Sequence, residues 1–146
     1  MPAFVKSVII HAPVEAVFGF HEREDALRLL SPTFPALHVL RKTGGIEVGS
    51  SVEIKIGPFL WTALHTAYEK NRLFVDIQIE GPFAKWVHRH EFETVGTDTR
   101  LTDRVEYQLP GGVWMNRLFG WTVQIGLHQM FRERHRTTRR YCEKRS

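Results

Sequence analysis

In the stretch KWVHRHEF, residues 85–92, two histidines stand two positions apart between a tryptophan and a phenylalanine. Successive side chains of a β-strand point to opposite faces, so Trp86, His88, His90 and Phe92 would share one face. Lys85, Val87, Arg89, Glu91 and Glu93 would take the other, which suits water. The two imidazoles therefore fall on the apolar side. A buried polar group without a partner costs roughly a few kcal/mol, so these rings call for one.

Asp103 is the candidate partner. A hairpin turning at Gly96-Thr97 sets His90 opposite Asp103, His88 opposite Val105 and Trp86 opposite Tyr107. Directly opposed residues have Cβ atoms about 4.5–5.5 Å apart, within hydrogen-bonding reach of their side chains. Moving the turn by one residue at each end would instead set Asp103 opposite Phe92, with His90 diagonal to it. In both registers the carboxylate shares a face with both imidazoles.

Such a group of residues supports several kinds of chemistry. A His–Asp hydrogen bond could simply fix the register of the hairpin. It could also anchor the polar head of a ligand, with Trp86, Phe92, Val105 and Tyr107 as apolar walls, since small-molecule pockets combine such walls with a few placed polar groups. An imidazole oriented by a carboxylate can also shuttle a proton near neutral pH, so His88, His90 and Asp103 would serve a cyclase- or dehydratase-type reaction. No nucleophile motif accompanies them, and Cys142 falls in what reads as a surface tail. Two histidines at i, i+2 with an aspartate across the hairpin could make a three-ligand metal site. No further ligand motif such as HExxH is present, and neither a metal nor another cofactor is expected.

The elements that must position these residues are legible from their periodicity. AFVKSVIIHAP reads as a strand ending at Pro13. One or two short helices follow, with Pro13 at the first helical position and Pro32 closing the segment. ALHVLRK, stopped by Gly44-Gly45, and the alternating SSVEIKIG are the next strands. Residues 59–81 form two strands turning near Lys70-Asn71, with apolar residues on both faces. Either Leu64, Thr66 and Tyr68 face inward with Val75, Ile77 and Ile79, or Trp61, Ala63 and His65 do so with Phe74, Asp76 and Gln78. One β-bulge would exchange the two sets. After the hairpin around Gly96, a long amphipathic helix is predicted from Asn116 to Glu143, its apolar stripe marked by Phe119, Val123, Leu127, Met130 and Tyr141.

Helices segregated from antiparallel strands indicate an α+β fold. The 146 residues suit a single domain spanning 1–146, with no internal repeat or linker. No apolar run approaches the roughly 20 residues needed to span a bilayer, so stable membrane insertion is not expected. The N-terminus lacks the basic start and small-residue cleavage site of a signal peptide, and one cysteine cannot make an internal disulfide; a cytoplasmic protein is expected. The net charge of +4 is concentrated in residues 132–146, where seven Lys/Arg face two Glu, leaving the remainder near −1. A basic helix end suits the negative pole of the helix dipole. Without interleaved aromatics beyond Tyr141 or a base-reading motif, nucleic acid is not an expected partner.

The stretches APVEAVFGFH, GPFAKWVHRHEFE and TRLTDRVEYQLPGG, in this order of elements, resemble the START-like superfamily, also called the helix-grip or SRPBCC fold. That group includes lipid-transfer domains, polyketide cyclases and birch-pollen-allergen-like proteins. The similarity is greatest to small bacterial ligand-binding members, some labelled cell-division inhibitors. It implies a curved antiparallel sheet wrapped around the long C-terminal helix, and an interior cavity for a hydrophobic small molecule or lipid. It also implies that the Trp61, Phe74 and Gln78 side faces inward. The expected ligand-binding residues are Trp61, Gln78, Trp86, His88, His90, Phe92, Asp103, Val105 and Tyr107. The alternative is an enzyme using His88, His90 and Asp103 in the same cavity. A second alternative is self-association as a homodimer through an exposed sheet face carrying Val75, Ile77 and Ile79.

Overall fold

The computed structural model describes residues 2–31 and 37–143. Its strands are β1 (Ala3–Ile10), β2 (Leu37–Thr43), β3 (Ser51–Ile56), β4 (Phe59–Glu69), β5 (Leu73–Glu80), β6 (Lys85–Val95) and β7 (Asp98–Gln108). Two short helices, α1 (Val14–Glu22) and α2 (Ala26–Leu30), separate β1 from β2, and α3 (Val113–Cys142) ends the chain. The strands form one antiparallel sheet in the order β1-β7-β6-β5-β4-β3-β2. This is the helix-grip α+β fold, with α3 lying against β1, α1 and α2.

Pro13 sits one position outside α1, in extended conformation, and its carbonyl accepts the first helical hydrogen bonds from Ala16 and Val17. The expected stop at Pro32 and the strand start at Ala36 lie outside the described residues, as do the tail charges Lys144 and Arg145. The long helix begins at Val113, three residues before Asn116, because Gly112 adopts φ 78° and turns the chain directly into it. Asn116 instead caps the preceding turn, its Oδ1 accepting from the Leu109 amide at 3.0 Å.

The ambiguous hairpin is resolved by two bulges. Ala63 pairs with Gln78 and His65 with Asp76, but register shifts on either side, so Tyr68 pairs with Phe74. Trp61, Ala63, His65 and, past the bulge, Tyr68 therefore line the inner face with Phe74, Asp76 and Gln78. Ile79 is exposed on the outside as expected, whereas Val75 is buried. The turn at Lys70-Asn71 uses Asn71 at φ 62°, the only described non-glycine residue with positive φ.

Two apolar clusters fill the inside. One joins β1, α1, β5, β6 and β7 through Ile10, Phe18, Phe74, Phe92 and Leu101; the other joins the sheet to α3 through Phe4, Trp86, Val105, Tyr107, Leu127 and Phe131. Cys142 belongs to the first cluster and is buried, not part of a surface tail as its position suggested. The last turns of α3 pack against α1, and burial pushes the thiol up to about 11. The expected stripe on α3 is also displaced. Its buried residues are Gly120, Leu127, Phe131, His135, Thr138 and Cys142, while Phe119 and Tyr141 are exposed. No described helix is long and apolar enough to cross a membrane.

Candidate functional site

The β6–β7 hairpin has the tight register: His90 pairs with Asp103, His88 with Val105 and Trp86 with Tyr107. The hydrogen bonds, however, run diagonally. His88 Nε2 donates to Asp103 Oδ1 at 2.8 Å, and His90 Nε2 donates to Asp76 Oδ2 at 3.0 Å across the neighbouring β5. The second oxygen of Asp103 accepts from His135 Nε2 at 2.6 Å, reaching down from α3. His90 Nδ1 lies 3.2 Å from Asp103 Oδ1, off the line of a hydrogen bond.

Asp76, His88, His90, Asp103 and His135 thus form one network between the two apolar clusters. Phe131 packs edge-on against His88 with ring centroids 5.1 Å apart, and Phe74 stacks on His90 at 3.9 Å and 9°. All but Asp76 are buried; its side chain keeps 17% of its exposure and is the network's outlet toward solvent.

Burial opposes ionisation of Asp103, but the hydrogen bonds from His135 and His88, with the His90 ring close beside them, outweigh it and hold the carboxyl well below its usual range. The same competition leaves Asp76 at about 2, where the bond from His90 prevails over desolvation. The two hairpin imidazoles lie 3.7 Å apart, too close to be charged together. Burial, then the His90 charge, lower the pKa of His88; for His90 the two carboxylates overcome burial and raise it. One ring is thus kept neutral and its neighbour is favoured as the protonated partner.

The remaining sequence-predicted residues divide by place. Trp86 packs against Trp61 and Phe83 at 5.0 and 4.9 Å, and these rings with Val123 and Met130 make an aromatic wall beside the network. Phe92 points away from that wall, into the α1 core against Phe18 and His21. Val105 and Tyr107 are fully buried beneath Phe131 and α3, and the Tyr107 hydroxyl accepts from Gln124 Nε2 at 2.9 Å. Gln78 spends both ends of its amide on the Phe83 backbone, which holds the β5–β6 loop against Trp61.

Sequence reasoning did not find His135, although it lies four residues after Phe131 and eight after Leu127, on a single helical stripe. A polar ring in that apolar stripe was the available signal. Asp76 was visible only as one of two possible inward faces. Two surface depressions lie elsewhere: about 420 Å³ beside Pro2 and Val113, and about 760 Å³ on the outer face among Arg72, Arg89, Arg100 and Arg104. His90 is packed against Phe74, His88 against Phe131, and Asp103 against His135.

Comparison with known proteins agrees with this architecture. Residues 10–136 match the family model described as polyketide cyclase / dehydrase and lipid transport. Among solved structures, TTHA0849 from Thermus thermophilus superposes with a TM-score of 0.76 at 16% identity, covering 98% of both chains. A START superfamily protein from Mycobacterium smegmatis gives 0.69 at 14% identity over 97% of each chain. Norcoclaurine synthase from Thalictrum flavum, in complex with dopamine and hydroxybenzaldehyde, gives 0.72 at 12% identity, covering 99% of this chain and 88% of that one. At these identities the likeness is one of fold. No curated protein sequence matches the chain.

Proposed function

The chain belongs to the polyketide cyclase / dehydrase and lipid transport family, and from that premise we propose that it binds a hydrophobic or amphipathic small molecule between the sheet and α3. The observation that carries this reading is the joining of an aromatic wall to a buried polar network with one outlet. Trp61, Phe83 and Trp86 supply flat apolar surface that meets the network where the Trp86 ring lies 6.5 Å from that of His88, and Asp76 is the network member that still reaches solvent. Apolar walls with a few convergent polar groups are the usual makeup of a small-molecule site. The ligand's polar end would meet Asp76 and His90, and its apolar body would lie along the tryptophans. Space for it would come from displacement of Met130 and Val123, which are only partly buried. Native mass spectrometry of the freshly purified protein tests this, since a retained organic mass that disappears on denaturation is expected. Failure both to retain such a mass and to bind a hydrophobic fluorophore that quenches Trp61 and Trp86 would count against it.

A second reading is favoured by the opposed behaviour of His88 and His90. Neighbouring groups whose environments drive their pKa values apart can supply an acid and a base together. A cyclase- or dehydratase-type enzyme would use His90 as the acid and His88 as the base, with Asp103 orienting both. His90→Gln would then abolish turnover while leaving ligand affinity largely intact. In the binding reading the same change costs affinity.

A further inference from the structure

We infer that Asp76, His88 and His90 form a binding site for a divalent transition-metal cation, with Asp103 as the group that orients both imidazoles. Asp103 Oδ1 faces one nitrogen of each ring, Nε2 of His88 at 2.8 Å and Nδ1 of His90 at 3.2 Å. The opposite nitrogens, His88 Nδ1 and His90 Nε2, are both turned toward a single atom, Asp76 Oδ2, at 4.0 and 3.0 Å. One donor from each of the three residues lies within 4.8 Å of the other two. A cation about 2.0–2.2 Å from each donor spaces them roughly 3–4 Å apart, so the pairs to Asp76 already stand near that spacing and the widest pair need close by no more than about 1–2 Å.

The surroundings are those of a ligated site. A metal-bound histidine commonly gives its other N–H to a carboxylate, and here Asp103 Oδ1 accepts from His88 and lies 3.2 Å from His90 Nδ1, which a small turn of that ring would bring into line. Asp103 is itself held by His135, at 2.6 Å through its second oxygen, so the orienting group cannot rotate away. Asp76 and Asp103 bring two negative charges into the interior, which a dication would neutralise. The partial exposure of Asp76 gives the ion a way in. Two imidazoles with one carboxylate select a first-row transition metal over calcium or magnesium, which prefer all-oxygen shells, and they leave positions open for water or substrate. In the sequence the aspartate across the hairpin, Asp103, is the third ligand on offer and no further ligand motif supports it; the third donor here is instead Asp76, from the neighbouring β5.

This inference stands apart from the small-molecule reading, because metal binding is measured with no organic ligand present. Chelator-stripped full-length protein would be titrated with Co2+, followed by visible absorption and by Tm, with Zn2+ as competitor. Saturable, stoichiometric Co2+ absorption displaced by Zn2+, with a rise in Tm, is expected. Asp103→Asn should weaken binding about 10- to 100-fold. Asp76→Asn, nearly isosteric and at the solvent-reaching edge, should weaken it further while circular dichroism stays native. His11→Ala, which removes an exposed histidine beside Asp98, should leave it unchanged. Absence of saturable binding by the folded wild type, or undiminished binding by folded Asp76→Asn, would overturn the assignment.

Discussion

The two halves of α3 meet very different surroundings. From Leu127 onward the helix is clamped: Leu127, Phe131, His135, Thr138 and Cys142 are buried at intervals of three and four residues against β1, the network and α1. Before it, from Val113 to Ile125, Gly120 alone is buried, and Val113, Trp114 and Trp121 are 71%, 72% and 63% exposed. The first half carries the larger apolar side chains and the second half carries the burial. Hydrophobicity of a helical stretch therefore does not say which part the sheet grips. The grip goes to the part whose stripe includes a polar residue with a partner, His135 on Asp103.

The largest effect should come from the partner itself. Asp103→Ala strips the acceptor from His88 and His135 and should cost about 3–5 kcal/mol, at the upper end of that range, in urea-unfolding free energy. Phe131→Ala, in the clamped half, should cost about 3–5 kcal/mol through the cavity it leaves between Phe4, Val105 and His88. Trp121→Ala in the open half should change stability by no more than about 0.5 kcal/mol. Equal losses at Phe131 and Trp121 would erase the contrast. Amide exchange sharpens it further, with residues 113–125 expected to exchange faster than residues 127–142.

Acid should attack the clamped half first. His21 on α1 is buried against Phe92 and Phe74, and burial lowers its pKa to about 3 despite the Val17 carbonyl that accepts from its ring. His90, Asp103 and Arg134 are the titratable groups that bear on it. A histidine lowered on folding contributes full stability above about pH 6.5 and loses it as the pH falls toward its folded value, by roughly 1.4 kcal/mol per unit. Tm should drop between pH 7 and pH 5, and His21→Leu should flatten that slope. The smallest effect is kinetic. Cys142, raised by burial, should react with thiol reagents at pH 8 only at the rate of unfolding, and prompt labelling would contradict its place in the core.

Much of the scaffold was legible because short-range patterns specify it. The alternation in residues 85–95 and 98–108, with the Gly96-Thr97 turn, gives the register that sets His90 beside Asp103. The direction of the hydrogen bonds was not legible. A cross-strand register fixes Cα partners, whereas side-chain torsions send His88 to Asp103 and His90 to Asp76. Residues 59–80 were undecidable because both faces are apolar, and the deciding bulges depend on what each face meets.

By itself the sequence determined the α+β element order, the long C-terminal helix and the placing of two imidazoles with Asp103 on one sheet face. Each of those follows from periodicity and turn residues acting over a few positions. Only the tertiary structure decided that β5 supplies Asp76, that α3 supplies His135, and that Cys142 is core. Those contacts join residues far apart in the chain, and they form where packing of α3 and curvature of the sheet bring them together. Local pattern carries no record of that distance.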